Sequence, residues 1–359
     1  MEHARINSNL SKGESGNMKK KPVIGVLLGD YSGIGTELVV KCLQSGELSK
    51  DAVPLIIGHE SILKREMELL QVSLDYEVIS SETDLAKMEQ ENLGRITVYE
   101  LQEAELGGIG YGKLNPVCGQ AVFVMIAKAV ELYQKGIIDG ICYAPFNKGA
   151  MKLVRPDVES ELQLFQEAME YTGLTGEMNV VEGLWTSRVT SHIPLARIGQ
   201  YLSRDKIEEA ILLADQTMKA AGIAAPRIAV CALNPHAGEN GLCGREEIDM
   251  IQPAIAAAVE KRVCVAGPFP SDTIFIRAFR GEFDGVVTLY HDQGQIALKL
   301  KDFANAVTVA AGLPAPVTTP AHGTAFDIAG QGAASANAFL SAYRIVAAQA
   351  AGRTCREHV

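Results

Sequence analysis

Short apolar segments alternate along the chain with longer segments whose apolar residues recur every three or four positions. The run KPVIGVLLGD precedes TELVVKCLQ, and AVPLIIGH precedes ESILKREMELLQ. The same order returns later, where RIAVCALNPHAG precedes EEIDMIQPAIAAAVEKR and FDGVVTLYHDQG precedes QIALKL. Apolar strands that alternate with amphipathic helices are typical of a largely parallel sheet covered by helices. The pattern therefore predicts an α/β fold.

Polar residues and glycines are concentrated where the predicted strands end, as in IIDGICYAPFNK. Ligands of α/β proteins bind outside the carboxyl ends of the strands, so we expect the functional site there. The segments CGQAVFVMIAKAVELYQKG and ASANAFLSAYRIVAAQAAG predict two Ala-rich helices. Helices of this kind usually pack in a core or against another subunit.

Composition limits the classes of partner. The chain has 359 residues, of which 47% are hydrophobic and 21% charged, and a net charge of −10. Nucleic acids and anionic membranes need a basic face, so we expect neither as a partner. Residues 1–20 are polar and are interpreted as a flexible tail without a signal peptide. Seven cysteines form no CxxC pair, which favours reduced thiols and a cytoplasmic protein.

Three histidines stand out because each follows an apolar run in a loop: His192, His236 and His291. Their separations along the chain exclude a shared helix, so only the fold can bring them together. Three imidazoles at one sheet edge would hold a divalent metal with open positions for a substrate oxygen. The alternative is that each is a structural histidine. Asp292 could orient His291, and Lys299 could act as an acid or base.

Seven motifs, in chain order, resemble those of the 4-hydroxythreonine-4-phosphate dehydrogenase family of vitamin B6 biosynthesis. They are GDYSGIGTE, YAPFNKGAM, SHIPLARI, NPHAGENGLCGREEID, GPFPSDTIF, YHDQGQIALK and HGTAFDIAGQG. The resemblance implies an isocitrate/isopropylmalate-dehydrogenase-like fold, with two α/β domains and a cleft between them. It also implies a homodimer that uses NAD, or NADP, and a divalent metal such as Zn, Mn, Co or Mg. We assign residues 21–150 with 310–359 to the first domain and 151–309 to the second.

The resemblance also implies roles for individual residues. The metal ligands would be His192, His236 and His291, with Lys299, Asp272 and Asp292 as catalytic residues. Asn147 and Lys148 match positions in the family's substrate pocket. The sequence lacks a GxGxxG motif, so a Rossmann site is unsupported. The residues expected at the cofactor are Gly33, Gly35, His322, Gly323, Thr324, Asp327 and Asn337.

The chain departs from the family pattern at one end of the expected substrate. Glu159 and Ser160 replace the His and Thr of the family's GHTE stretch, Thr308 replaces an Asn, and Val317 replaces an Arg. We expect Glu159, Ser160 and Thr308 to contact the substrate. Phosphate binding needs cations or several hydrogen-bond donors, and Arg is favoured because of its bidentate fork. These changes therefore predict a lost phosphate subsite.

Three functions follow from these observations. The first is an NAD- and metal-dependent dehydrogenase that oxidises a secondary hydroxyl of an unphosphorylated hydroxy acid or diol and then decarboxylates the keto acid. The second is 4-hydroxythreonine-4-phosphate dehydrogenase itself, with a rearranged phosphate pocket. The third is a homologue that binds metal or nucleotide without catalysis, because a fold does not guarantee an activity. The histidine set with Asp292 and Lys299 argues against the third.

Overall fold

The computed structural model describes residues 21–81, 83–84, 96–102, 106–302 and 304–354, so the predicted tail lies outside the described residues. The strands formed by these residues belong to a single sheet, and we number the strands in chain order. They are β1 (Val23–Leu27), β2 (Val53–Gly58), β3 (Tyr76–Ile79), β4 (Ile96–Glu100), β5 (Gly140–Tyr143), β6 (Gly176–Val181), β7 (Leu184–Arg188), β8 (Ile228–Cys231), β9 (Val265–Phe269), β10 (Gly285–Thr288), β11 (Val307–Ala311) and β12 (Val317–Pro320).

In the part of the chain that the structure describes, the sheet has twelve strands in the order β3-β4-β2-β1-β5-β12-β11-β6-β7-β10-β8-β9. The strands on the β3 side pair in parallel as far as β12, and β7, β10, β8 and β9 pair in parallel on the other side. Between these blocks, β12–β11, β11–β6 and β6–β7 pair antiparallel. The structure confirms the predicted α/β fold. The assignment of two domains remains a prediction, because one continuous ladder crosses both halves.

Helices follow most strands, as the alternating pattern predicts. They are α1 (Gly35–Gln44), α2 (Leu48–Asp51), α3 (Glu60–Leu70), α4 (Pro116–Gln134), α5 (Lys148–Val154), α6 (Glu161–Ala168), α7 (Ile198–Tyr201), α8 (Arg204–Ala220), α9 (Gln252–Glu260), α10 (Ser271–Ala278), α11 (His291–Asp302) and α12 (Asn337–Thr354). Side chains at several N-termini explain the boundaries. Asn115, Asn147, Ser160 and Ser203 each accept a hydrogen bond from a backbone N–H in the first turn.

The core forms where apolar strands meet the two predicted Ala-rich helices. β5 is buried along its whole length, and Ile24, Val26 and Leu27 of β1 have no exposed surface. α4 is long and apolar enough to cross a membrane, judged by length and composition alone. Half of its most apolar 18-residue stretch is buried inside the protein, as in the core helix of a globular protein.

Candidate active site

A cavity of about 340 Å³ lies where the two halves of the sheet meet. It is bordered by residues at or just beyond the carboxyl ends of β5, β7, β10 and β12. The opening parts of the antiparallel strands β6 and β11 complete its wall. This is the edge at which the sequence predicts the site. Seven of the predicted site residues line the cavity: Lys148, His192, His291, Lys299, Thr308, His322 and Gly323.

Two of the three predicted metal ligands meet because their strands are neighbours. β7 and β10 pair in parallel, with Arg188 opposite Thr288, so both chains leave the sheet at the same edge. His192 comes four residues after Arg188, and His291 comes three residues after Thr288. The ring centroids of His192 and His291 are 5.5 Å apart. Asp292 Oδ1 lies 2.7 Å from Nδ1 of His291 and so fixes that ring, as the sequence suggests.

His291 is the first residue of α11, and its helical neighbours also reach the cavity. Residues four apart lie on the same face of a helix, which places His291, Gln295 and Lys299 in one row. His291 and Lys299, the ends of this row, are predicted from the sequence, whereas Gln295 is not. The four-residue spacing from His291 is the signal that would have found it.

His236 follows β8, which pairs with β10, so it leaves the sheet at the same edge. It does not line the cavity, however, and in the described part of the chain no three His, Cys, Asp or Glu residues are grouped to hold a metal. It lies in a left-handed turn over Pro235–Gly241, with a φ of 53°. Left-handed backbone is unusual for residues other than glycine. The structure thus assembles two of the three predicted ligands within one chain.

Glu247, which is 1% exposed, holds the base of this turn. Its Oε1 accepts hydrogen bonds from the backbone N–H groups of Leu233 and Asn234, at 2.9 and 2.8 Å. Its Oε2 accepts one from Asn234 Nδ2 at 3.0 Å. Oε2 also lies 2.6 Å from where a Cβ on Gly238 would be, so the carboxylate fills the space that this glycine leaves. The position of His236 therefore depends on a buried acid that the sequence analysis does not single out.

A polar network on β6, β7 and β11 forms part of the cavity wall and was also missed. Asn179 Nδ2 donates to Thr308 Oγ1 at 3.0 Å, across the register in which these two residues pair. Arg188 donates from Nη1 to Asn179 Oδ1 at 3.0 Å and contacts Glu177 through Nη2. Gln295 Nε2 donates to the same Asn179 oxygen. The sequence does contain a signal for this network. Glu177 and Asn179 are the polar residues of the otherwise apolar strand GEMNVV, and residues two apart share one face of a strand.

Several residues predicted to bind substrate make hydrogen bonds within the fold or lie outside the cavity lining. Ser160 Oγ caps α6 by accepting from Gln163 N–H at 3.1 Å, and Asn147 Oδ1 caps α5. Glu159 is exposed and does not line the cavity, and neither does Asp272 at the start of α10. Glu161 does line it, with its carboxylate 3.8 Å from Lys148 Nζ. Val317 is fully buried in β12.

The predicted cofactor residues come from two loops that pack together beside the cavity. Ile34 N–H donates to Thr324 O at 3.1 Å, and a Cβ on Gly33 would lie 2.8 Å from Thr324 Cβ. Asn147 Nδ2 donates to Thr324 Oγ1 at 3.1 Å and so joins the loops to α5. Gly35 begins α1. Asp327 and Asn337 are exposed and lie outside the cavity lining.

Burial raises the pKa of Asp30, an acid in the loop between β1 and α1. Asp30 is 1% exposed, and loss of solvation raises the pKa of its carboxyl to about 6, although a hydrogen bond from Ser32 N–H opposes the shift. Burial also lowers the pKa of the His59 imidazole, whose Nδ1 lies 2.8 Å from Tyr31 Oη. Asp30, Tyr31 and His59 are all buried, and none of them lines the cavity.

An α/β fold whose strand ends enclose imidazoles, lysines, an arginine and carboxylates in a central cleft is typical of an enzyme that acts on a small molecule. Comparison with known proteins gives the particular family. The family model described as "Pyridoxal phosphate biosynthetic protein PdxA" matches residues 50–346. The chain belongs to this family and is an oxidoreductase that acts on CH–OH groups.

Three relatives illustrate the similarity. A Pseudomonas aeruginosa protein with the provisional name 4-hydroxythreonine-4-phosphate dehydrogenase 2 is 40% identical over 92% of this chain and 97% of its own length. An Oceanobacillus iheyensis protein, provisionally named D-threonate 4-phosphate dehydrogenase, is 38% identical over 90% and 97%. The crystal structure of 4-hydroxythreonine-4-phosphate dehydrogenase from Klebsiella pneumoniae has a TM-score of 0.78, with 34% identity over 92% of this chain and 99% of that one.

These relatives do not support the expected unphosphorylated substrate, since each is named for a phosphorylated one. Glu159 and Ser160 do not line the cavity, so the acid expected to repel phosphate lies outside it, and the carboxylates that do line it, Glu161 and Glu177, each lie beside a cation. Cations come instead from Lys148, Lys299 and Arg188, all of which line the cavity.

Proposed function

We propose that the protein is an NAD- and divalent-metal-dependent dehydrogenase that oxidises the C3 hydroxyl of a phosphorylated four-carbon acid. D-threonate 4-phosphate and 4-hydroxythreonine 4-phosphate are the two substrates of this type named for its relatives. The observation behind the proposal is the cavity itself, in which paired imidazoles lie among three cationic side chains. A substrate with a carboxylate at one end and a phosphate at the other matches that charge.

The donor set fits a divalent metal. His192 and His291 present two imidazoles with centroids 5.5 Å apart, and the carboxylate at Nδ1 of His291 leaves Nε2 to act as ligand. Imidazole nitrogen suits zinc, whereas manganese and magnesium prefer oxygen ligands, so among the ions expected from the family the paired imidazoles favour zinc or cobalt. The bound ion would supply Lewis acidity toward the substrate hydroxyl.

We propose that His236 of a second copy supplies the third ligand, which makes the homodimer part of the site. A second cavity, of about 260 Å³, lies against the same two histidines and is bordered by Leu195 and Tyr290. Leu195 is 72% exposed, and Leu242, just after the turn that carries His236, is 84% exposed. Large exposed apolar side chains beside candidate ligands mark a surface that another subunit would cover.

The paired loops around Gly33 and Thr324 would hold the dinucleotide next to the cavity. A Cβ on Gly323 would meet nothing within 4 Å among the described atoms, so the backbone there is open to a ligand. NAD would accept the hydride. Lys299 Nζ, in the helical row with His291, would exchange a proton with the substrate oxygen. Oxidation at C3 gives a 3-keto acid, which loses its carboxylate as carbon dioxide.

Turnover measured with and without metal tests this function. Enzyme treated with a chelator should not reduce NAD with D-threonate 4-phosphate, and adding Zn, Mn or Co should restore the rate. With metal present, kcat/KM should reach about 10⁴ M⁻¹s⁻¹, the lower end of the ordinary range for a true substrate. His236→Ala should lose metal and rate together. Full activity without metal, or faster turnover of unphosphorylated D-threonate, would overturn the proposal.

A further inference from the structure

We infer that Arg188 determines specificity by receiving the carboxylate of the substrate, while the phosphate lies toward Lys148. The inference rests on the proposed function and concerns a residue that the motifs do not point to. Arg188 is the last residue of β7, and its side chain is 10% exposed. A cation buried to this degree needs compensation, and its neighbours provide it.

The partners of the guanidinium fix it in one orientation. Nε donates to Ser191 Oγ at 2.7 Å, Nη1 to Asn179 Oδ1 at 3.0 Å, and Nη2 to Glu177 Oε2. Within the described residues these bonds engage three of the five N–H groups of an arginine. Two donors therefore remain on a preoriented fork, a geometry that matches a carboxylate.

The open side of Arg188 faces the candidate active site. Glu177 and Asn179, which hold its two terminal nitrogens, both line the cavity near the histidines. Arg188 also borders another cavity, of about 360 Å³, whose wall includes residues 187–191 together with Tyr201, Lys206 and Glu209. Of these two cavities, Glu177 and Asn179, which hold the terminal nitrogens of the guanidinium, line only the first.

The distance along the substrate identifies which anionic group reaches Arg188. Asn179 Oδ1 accepts from both Arg188 Nη1 and Gln295 Nε2, and Gln295 lies one helical turn after His291, so the guanidinium lies on the side of the proposed metal site. In a 4-phosphorylated 3-hydroxy acid, one carbon separates C3 from the carboxylate carbon. A carbon and an oxygen separate C3 from phosphorus, so the carboxylate is the nearer anion. Lys148 begins α5 in the other half of the sheet and is placed for the more distant phosphate.

Glu177 makes the same distinction by charge. Its side chain is 29% exposed and shares the Arg188 guanidinium, so an anion bound there also approaches this carboxylate. A phosphate dianion would be repelled about twice as strongly as a carboxylate, since Coulomb energy scales with charge. Glu161 lies 3.8 Å from Lys148 Nζ, beyond hydrogen-bond distance, whereas Glu177 is hydrogen-bonded to Arg188, so the Arg188 end of the cavity disfavours a dianion more than the Lys148 end does.

Binding of three probes to metal-loaded Arg188→Met enzyme, measured by calorimetry, tests the inference. D-threonate 4-phosphate and unphosphorylated D-threonate should both bind about 10- to 100-fold more weakly than to wild type, as expected for a lost charge-assisted pair. D-threitol 4-phosphate, which has no carboxylate, should bind equally to both. Arg227→Met, which breaks a surface pair with Asp284, is the control and should change none of the three.

Other patterns of affinity would overturn the assignment. Weaker binding of both phosphorylated probes with unchanged D-threonate would show that Arg188 binds phosphate, and three unchanged affinities would show that it binds neither. If Arg188→Met does not fold, Glu177→Gln replaces it. This variant should bind D-threonate several-fold more tightly because a repelling charge is gone, and an unchanged affinity would refute the inference. Because binding is the readout, an enzyme that turns over none of the probes contradicts the proposed function alone.

Discussion

Replacing Glu247 with glutamine is expected to destabilise the fold at the turn that carries His236. The substitution keeps the size of the side chain and one oxygen for the backbone N–H groups of Leu233 and Asn234. It places an amide nitrogen opposite Asn234 Nδ2, which now donates to Oε2 at 3.0 Å. One hydrogen bond to a charged group, worth about 1.5–3 kcal/mol, is lost, and two others weaken by about 1 kcal/mol each.

Relief from burying a charge offsets part of this loss, which leaves an expected decrease of about 2–4 kcal/mol in the free energy of unfolding. Equilibrium unfolding in urea measures it. Glu239→Gln is the matched control, because Glu239 lies in the same turn but is exposed. That variant should stay within about 0.5 kcal/mol of wild type. If the two variants unfold with the same free energy, Glu247 does not hold the turn and the reasoning fails.

Three further substitutions test other parts of the structure. Burial raises the pKa of the Asp30 carboxyl to about 6, so the stability that is present below the pKa of the unfolded chain is lost as the pH rises through 6. Asp30→Asn should therefore raise the free energy of unfolding by up to about 3 kcal/mol near pH 8 and leave it unchanged near pH 4, as measured by denaturation at both pH values. Ser160→Ala should cost about 1 kcal/mol in denaturant unfolding and leave KM unchanged, because Ser160 caps α6 and does not line the cavity. Gly33→Ala should raise KM for NAD by about tenfold or more, since its Cβ would meet Thr324 at 2.8 Å, whereas Gly110→Ala, in open space, should not.

The sequence predicts the fold and the identity of the paired histidines because both depend on local patterns. Apolar runs that alternate with amphipathic helices are sufficient for a parallel sheet, and strand ends are where loop histidines collect. His192 and His291 meet because β7 and β10 are neighbours in register. The order of strands in the sheet cannot be inferred from any one segment. The sequence alone therefore could not show that His236 lies apart from His192 and His291 within one chain.

The errors at the substrate end have a different cause. Glu159 and Ser160 are predicted by matching a short motif, and one position along the chain separates Ser160, which caps α6, from Glu161, which lines the cavity. Arg188 and Glu177 were missed because they lie in strands, where an alternating polar residue is usually taken as facing solvent. Only pairing with β11 shows that this face of β6 borders the cavity.

The unbroken sheet has a consequence for how the protein unfolds. The chain passes into the second half of the sheet once and returns once, and β11 is hydrogen-bonded to a strand of each half. Neither half can melt without exposing a long sheet edge on the other, which is unfavourable for strands buried in a parallel array. We therefore expect one cooperative transition in calorimetry, and a protease that cuts between β5 and β6 should release no half that stays folded alone.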